Sequence, residues 1–277
     1  MTIVTLLVPT DFSAEAKAAA HFAAKLAVQI QARVILLSVV EMDTTETVLS
    51  NWKKLEQQLT RNAQKSLEKL THEIKTEAGP KLSIASDVTF GIPMSEAIAR
   101  YASEQQVNMI IMGTKGASGL KKILTGSNTT KLMQISPVPV IAIPAKAVYQ
   151  GMKKMVYATD LQHVKEEIKV LARIAALFEA EILVFHCVPA DSQAREDRGL
   201  EPELIEQAQY GFISFHQVKS DRVDKAIGDF IDESKADMLV MFTHELDFYE
   251  KLFGRSVTRS LAFQSRIPLL VFNRSVS

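Results

Sequence analysis

Cysteine is almost missing from this chain: Cys187 stands alone among 277 residues. A single thiol excludes an intrachain disulfide and fits a reducing compartment. No sign of charge prevails, because 32 Lys and Arg face 32 Asp and Glu. That balance argues against a protein that coats nucleic acid or docks on a membrane through a polybasic surface. No apolar run approaches the ~20 residues needed to span a bilayer. The opening MTIVTLLVPTDFS has no basic leader and no small-residue cleavage site, so it reads as a strand. The expectation is a soluble cytoplasmic protein. Glycine is scarce as well, and four of the eleven (Gly113, Gly116, Gly119 and Gly126) crowd into one stretch.

What is present is enough apolar residue, 47%, to build a core, and a pattern that occurs twice. TLLVPTDFSAEAKAAAHFAAKLAVQIQARVILLSVVE opens the first half, and KMVYATDLQHVKEEIKVLARIAALFEAEILVFHCVP opens the second. Thr10-Asp11 corresponds to Thr159-Asp160, and Ala32 to Ala180 after a one-residue shortening. Farther on, NMIIMGTKG parallels DMLVMFTHE, and SPVPVIAIP parallels SRIPLLVFN. A repeat of half the chain means two copies of a domain. The expected domains are residues 1–146 and 152–277, joined through the short polar stretch 145–154.

Within each half, runs that are apolar throughout alternate with amphipathic stretches. In the first half the runs are Val4 to Val8, Val34 to Val40, Leu82 to Val88, Met109 to Met112 and Val138 to Ile143. Such runs belong to strands covered on both faces, as in a parallel sheet. Ser13 marks one helix start, and Pro93 suits the first turn of another. The long polar stretch 46–78 predicts a helix between the second and third strands. Its counterpart is shorter and interrupted by Gly199 and Pro202. The fold class is therefore α/β: two tandem doubly wound domains, each a five-stranded parallel sheet flanked by helices.

The glycine-rich stretch follows a strand and precedes a helix starting near Gly126 or Ser127. That places it at the carboxyl edge of the sheet, where open α/β folds bind ligands at the reversal of strand order. Glycines let backbone N–H groups approach phosphate closely, and a helix N-terminus favours an anion. Ser127 and Asn128 can add hydrogen bonds there. The string is neither a P-loop nor a Gly-x-Gly dinucleotide fingerprint, because Lys115 stands two after Gly113. What remains is Gly-x2-Gly-x9-Gly-Ser, on Gly113, Gly116, Gly126 and Ser127. Bland readings stand beside these. Loop glycines can be mere turn formers, and Asp11 can cap the helix near Ser13. Lys115, Lys121 and Lys122 can be solvated surface charges.

This spacing, with VPTDFS after the first strand, resembles the ATP-binding class of the universal stress protein family, over nearly the whole chain. The resemblance implies a fold of the adenine nucleotide alpha hydrolase type and an ATP ligand, with Mg as an optional companion. It further implies that Pro9, Thr10 and Asp11 border the adenosine and that the backbone at Val39 and Val40 meets the adenine edge. Met112 and Gly113 would approach the ribose and first phosphate, while Gly116, Gly126, Ser127 and Asn128 enclose the polyphosphate and Lys115 adds charge. The family often pairs through its last strand. Two tandem halves can mimic that dimer within one chain, with a homodimer and an unidentified protein partner as further options. The expected role is regulatory. The competing readings are a slow ATP hydrolase or phosphoryl or adenylyl transferase, and a non-catalytic interaction module. Transfer chemistry needs a metal-holding carboxylate and a base, and Asp11 has no second carboxylate beside it.

The second half departs from the pattern. Phe242 and Glu245 stand at the positions of Gly113 and Gly116, and the run to Gly254 is one residue shorter. Phe242 is expected to fill the place of a phosphate and Glu245 to repel one, leaving Arg255 and Ser256 as residual anion contacts. One nucleotide site, in the N-terminal half, is the expectation. Asp160, His186 and His244 could converge as a metal or polar site without any tight ligand spacing, and no metal is expected. Cys187 reads as a small buried residue whose neighbour His186 points to the other face of the strand.

Overall fold

The computed structural model describes residues 3–41, 49–114, 127–193, 199–243 and 267–273, with main chain only at 49–53, 127 and 243. The chain divides into two compact units between Val148 and Tyr149. The first runs β1 (Thr5–Pro9), α1 (Ala14–Ile30), β2 (Arg33–Val40), α2 (Leu49–Ala78), β3 (Ser83–Phe90), α3 (Met94–Glu104), β4 (Met109–Gly113), α4 (Ser127–Ile135) and β5 (Val140–Ile143). The second runs β6 (Lys154–Ala158), α5 (Val164–Phe178), β7 (Glu181–Val188), α6 (Leu200–Ala208), β8 (Ile213–Lys219), α7 (Val223–Ser234), β9 (Met238–Thr243) and β10 (Leu269–Asn273).

Strand order in the first unit is β3-β2-β1-β4-β5, with every pairing parallel. In the second it is β8-β7-β6-β9-β10, again all parallel. The chain moves outward from β1 to β3 and then crosses back to β4. Right-handed crossovers therefore put α1 and α2 on one face and α3 and α4 on the other, which agrees with the packing of α1 on α2 and of α3 on α4. The order reverses between β1 and β4, and between β6 and β9. The doubly wound α/β architecture read from the sequence is the one observed.

The central strands earn their burial from composition. Leu6, Leu7, Val8, Leu36, Leu37, Ile110 and Ile111 are all fully buried. β3 has a neighbour on one side only and is correspondingly polar, running two residues past the expected end to Phe90. Helix α1 sits close to the sheet because its buried stripe is alanine: Ala16, Ala19, Ala20, Ala23, Ala24 and Ala27. These positions recur every three or four residues, as one face of a helix requires. Ser13 is its N-cap, with Oγ accepting from the Ala16 N–H at 3.2 Å. Helix α5 repeats the stripe as Val164, Glu167, Ile168, Leu171, Ala172 and Ala175, so a carboxylic acid stands where α1 has Ala19.

Two helix starts differ from expectation. Pro93 is the N-cap of α3 and not its first turn. Gly199 is the N-cap of α6, and Pro202 lies in that helix's first turn, where a missing N–H costs nothing. Neither interrupts the helix.

Candidate functional site

Parallel pairing brings the C-terminal ends of β1, β2 and β4 to one edge of the first unit. Pro9, Thr10 and Asp11, Val39 and Val40, and Met112 and Gly113 therefore lie along that edge, with the reversal of strand order between β1 and β4. The turn after β1 is tightly specified. The Thr10 N–H donates to the Leu37 carbonyl at 2.8 Å, Thr10 Oγ1 accepts from the Phe12 N–H at 3.0 Å, and Asp11 Oδ1 accepts from the Ser13 N–H at 3.0 Å. These bonds hold Phe12 at φ 64°, a left-handed conformation that bulky residues seldom adopt. Such strain is typical of functional turns. Thr10 is buried and Asp11 exposed. Ser13 thus caps α1, while Asp11 shapes the turn before it and keeps its carboxylate at the edge.

Strand β2 outruns β1. Pairing between them ends at Pro9 with Leu37, yet β2 continues to Val40. In a parallel ladder alternate residues direct their peptide groups to the same neighbour. Arg33 and Leu37 use theirs toward β1, so the N–H and C=O of Val39 point the same way, past the end of β1. Val40 faces β3, and its carbonyl accepts from the Gly91 N–H at 3.3 Å. Of the two valines, only Val39 offers peptide groups to the reversal point.

At the end of β4, Gly113 has a packing role that the loop pattern did not reveal. A Cβ there would lie 2.9 Å from the Glu15 carbonyl oxygen and 3.0 Å from the Glu15 carbonyl carbon. Only glycine lets the first turn of α1 approach β4 this closely. The Gly113 carbonyl accepts from Thr129 Oγ1 at 3.0 Å, inside the protein, and ties α4 to β4. Thr129 carried no sequence signal beyond lying two residues after Ser127. The Asn128 amide donates to Met94 Sδ at 3.5 Å, toward α3. Ser127 begins α4, but its side chain, with Lys115, Gly116, Lys121, Lys122 and Gly126, lies outside the described residues.

The second unit keeps the turn and changes its surroundings. The Thr159 N–H donates to the Phe185 carbonyl at 3.0 Å, Thr159 Oγ1 accepts from Leu161 N–H at 3.0 Å, and Asp160 Oδ1 accepts from Gln162 N–H at 3.0 Å. Leu161 repeats the left-handed conformation at φ 70°. Phe242 does not do what the sequence suggested. Its buried ring stacks on Phe272, with centroids 4.3 Å apart, and meets Tyr157 edge-on at 5.6 Å. Tyr157 in turn donates its hydroxyl to Glu167 of α5. The bulk at this position is thus directed into the core beneath α5. Helix α5 begins at Val164, the counterpart of Ala16, two residues later in the pattern than α1.

Glu167 is buried, and desolvation pushes its carboxyl up to about 8. A polar residue on an otherwise apolar stripe was the signal that could have disclosed it. His186 faces the Thr159 carbonyl through Nδ1 at 3.0 Å; a carbonyl only accepts, so Nδ1 carries the proton. Cys187 is half-buried, its thiol donates to the Ser220 carbonyl at 3.4 Å, and burial raises its pKa. Like Val218 and Phe230, it packs against the buried cluster that includes Phe185 and Met241. His244, Glu245, Gly254, Arg255 and Ser256 lie outside the described residues. Among the described residues no group of three or more His, Cys, Asp or Glu is placed to hold a metal ion, and no helix is long and apolar enough to cross a membrane.

Comparison with known proteins adds a family to this geometry. The model of the universal stress protein family matches residues 3–144 and again residues 151–273, following the internal repeat. Universal stress protein MJ0577 of Methanocaldococcus jannaschii is 29% identical over 157 residues, covering 51% of this chain and 94% of its own. Universal stress protein MJ0531 of the same organism is 28% identical over 140 residues, covering 50% of this chain and 80% of its own. Among solved structures, a universal stress protein from Archaeoglobus fulgidus aligns over 98% of both chains with a TM-score of 0.72 and 20% identity. A functionally unknown protein from Pseudomonas aeruginosa aligns over 98% of this chain and 93% of its own, with a TM-score of 0.59 and 18% identity. These two likenesses are likenesses of fold.

Proposed function

The chain belongs to the universal stress protein family, whose domain it carries twice, and from that premise we propose that its first unit binds ATP and acts as a nucleotide-dependent regulatory protein. The observation that carries this reading is the overhang of β2 beyond β1, which aims the peptide groups of Val39 at the point where strand order reverses. A purine edge presents a donor beside an acceptor, and a strand's N–H and C=O complement that pair. Asp11, fixed by the Thr10–Ser13 turn, stands where a ribose hydroxyl could donate to it. These residues suit a base and its sugar. The phosphates are assigned to the segment between β4 and α4, on the strength of its Gly113, Gly116, Gly126 and Ser127 spacing. Lys115 and Asn128 belong to the same assignment, and Mg would accompany the phosphates as a counter-charge.

Binding without efficient turnover is the favoured reading, because Asp11 is the only carboxylate that the turn after β1 places at this edge. Nucleotide released by denaturing freshly purified protein, together with calorimetric titration, tests the proposal. One ATP per chain, weakened by Gly116→Asp and unaffected by Glu245→Ala, is expected. No uptake at millimolar ATP would leave an interaction module, and rapid turnover with magnesium would make the protein an enzyme.

A further inference from the structure

We propose that the outer edge of β8 is a pairing site for a second copy of this chain, and that Glu201 of α6 holds it closed. β8 stands at one end of the strand order of the second unit, opposite β10, with β7 as its neighbour. The Ile182 N–H donates to the Phe212 carbonyl at 2.8 Å, and the Ser220 N–H to the Val188 carbonyl at 2.8 Å. Alternate residues of a parallel strand address the same neighbour, so positions 212, 214, 216, 218 and 220 face β7. Ile213, Phe215, Gln217 and Lys219 direct their peptide groups outward.

An edge of this kind is a template for an added strand, and folded proteins blunt it with a charge, a proline or a bulge. The middle of β8 has none of these. From Gln207 to Val218 the chain carries no Asp, Glu, Lys, Arg or Pro, and the register with β7 is unbroken from Ile213 to Lys219. Uncharged segments of such composition pair readily with their own kind. The edge is occupied instead by a side chain from another element: Glu201 Oε2 accepts from the Phe215 N–H at 2.9 Å. Glu201 lies in the first turn of α6, which Lys165 of α5 ties down through Glu203. In the first unit, the edge strand β3 supplies its own guard. The Gly91 N–H addresses β2 through the Val40 carbonyl, so Val88 and Phe90 face outward. Asp87 Oδ1 accepts from the Val88 N–H at 2.8 Å, and Arg100 donates to the Phe90 carbonyl at 2.9 Å. A carboxylate on an outward N–H thus recurs at both edges, but β8 borrows it from a helix.

The edge fits a copy of itself. An antiparallel pair about a twofold axis at Phe215 sets that residue against Phe215 of the second copy, and Ile213 against its Gln217. All of these are outward-facing positions, and residues so opposed exchange both N–H···O=C bonds. The contact closes on itself as an isologous dimer. Its central N–H is the one that Glu201 occupies, so pairing requires the carboxylate to withdraw. Phe212 is exposed, with its ring edge-on to Tyr210 at 5.7 Å. In this register it meets Val218 of the second copy, an apolar cross-strand neighbour. Lys219 falls opposite Gly211, so no like charges are opposed.

Analytical ultracentrifugation of the full-length protein, with amide hydrogen exchange at Phe215, tests this. Glu201→Ala should double in mass relative to wild type as concentration rises. Glu201→Gln should sediment as wild type, because its amide oxygen still accepts from the Phe215 N–H. In dilute Glu201→Ala the Phe215 amide should exchange about tenfold faster than in wild type, and slow again as the mass doubles. Adding Gln217→Pro should return the wild-type mass, since proline at an outward edge position spares the ladder to β7 and removes an N–H that the added strand needs. Phe212→Ser, at an exposed position that the fold does not depend on, should weaken the association. Glu201→Ala that keeps the wild-type mass up to near-millimolar concentration overturns the proposal. So does a doubling that survives Gln217→Pro or leaves the Phe215 amide fast, and so does growth into assemblies without a limit.

Discussion

The Tyr157 hydroxyl donates to the Glu167 carboxyl in the interior of the second unit, at two positions where the first unit has Val8 and Ala19. This polar pair in one copy and its apolar equivalent in the other make pH a probe that separates the two units. Burial raises the folded-state pKa of Glu167 from 4.5 to about 8, so folding favours the protonated acid. Its contribution is fully present below the unfolded value of 4.5, declines above it, and is lost once pH passes through about 8. Denaturant midpoints should fall from about pH 5 to about pH 9 in a transition of the second unit, and Glu167→Gln should flatten the profile. A midpoint for the wild-type second unit that is constant over this range would refute the assignment.

Gly113→Ala should destabilise the ligand-free protein by about 1–3 kcal/mol. The neighbour that a Cβ meets is main chain of Glu15, which cannot swing aside as a side chain can. Thermal unfolding without nucleotide reads this directly, so the packing role is measured apart from any role in phosphate binding.

Thr129→Val keeps the shape of the side chain and removes its O–H. The Gly113 carbonyl then loses the donor recorded at 3.0 Å in a buried setting. A loss of about 1–3 kcal/mol in unfolding free energy is expected. Thr130→Val on the same helix, measured alongside, controls for helix propensity.

Scarcity of glycine leaves helix ends in an unfavourable conformation. Gln31 and Lys235 close α1 and α7 at φ 55° and 53°, and both are exposed. Gln31→Gly and Lys235→Gly should each stabilise the protein by about 1 kcal/mol, because glycine adopts this region without a Cβ clash. Unchanged or lowered melting temperatures would show that the side chains make compensating contacts.

Asp237 Oδ2 accepts from the N–H groups of Lys153 and Lys154 at 2.7 and 2.9 Å, as Asn108 Oδ1 accepts from Thr5 N–H at 2.7 Å. Asp237→Asn should be tolerated and Asp237→Ala should cost about 1–3 kcal/mol. The same residue helps burial hold Tyr149 up to about 12. Spectrophotometric titration should therefore find the Tyr149 phenol lower in Asp237→Asn than in wild type.

The repeat, the alternation of elements and the doubly wound order were legible because each is written in local periodicity. Thr10-Asp11 and Thr159-Asp160 could be matched by eye, and the strands followed from uninterrupted apolar runs. What a residue does at a strand end was not legible. Phe242 aligns with Gly113, but the direction of its side chain depends on strand parity and on where α5 begins, two residues later in the pattern than α1. The need for glycine at 113 arises from Glu15, nearly a hundred positions away, and a loop motif records nothing of such a contact. Glu167 was concealed for a related reason: its burial shows only when the stripe of α5 is set in register with that of α1.

Strand overhang has one more implication. Peptide groups are common to every residue except proline, which lacks the N–H. A nucleotide held as proposed, by the main chain of Val39, is indifferent to which side chain stands there. That position can drift in sequence without surrendering recognition, while a single proline there would silence it.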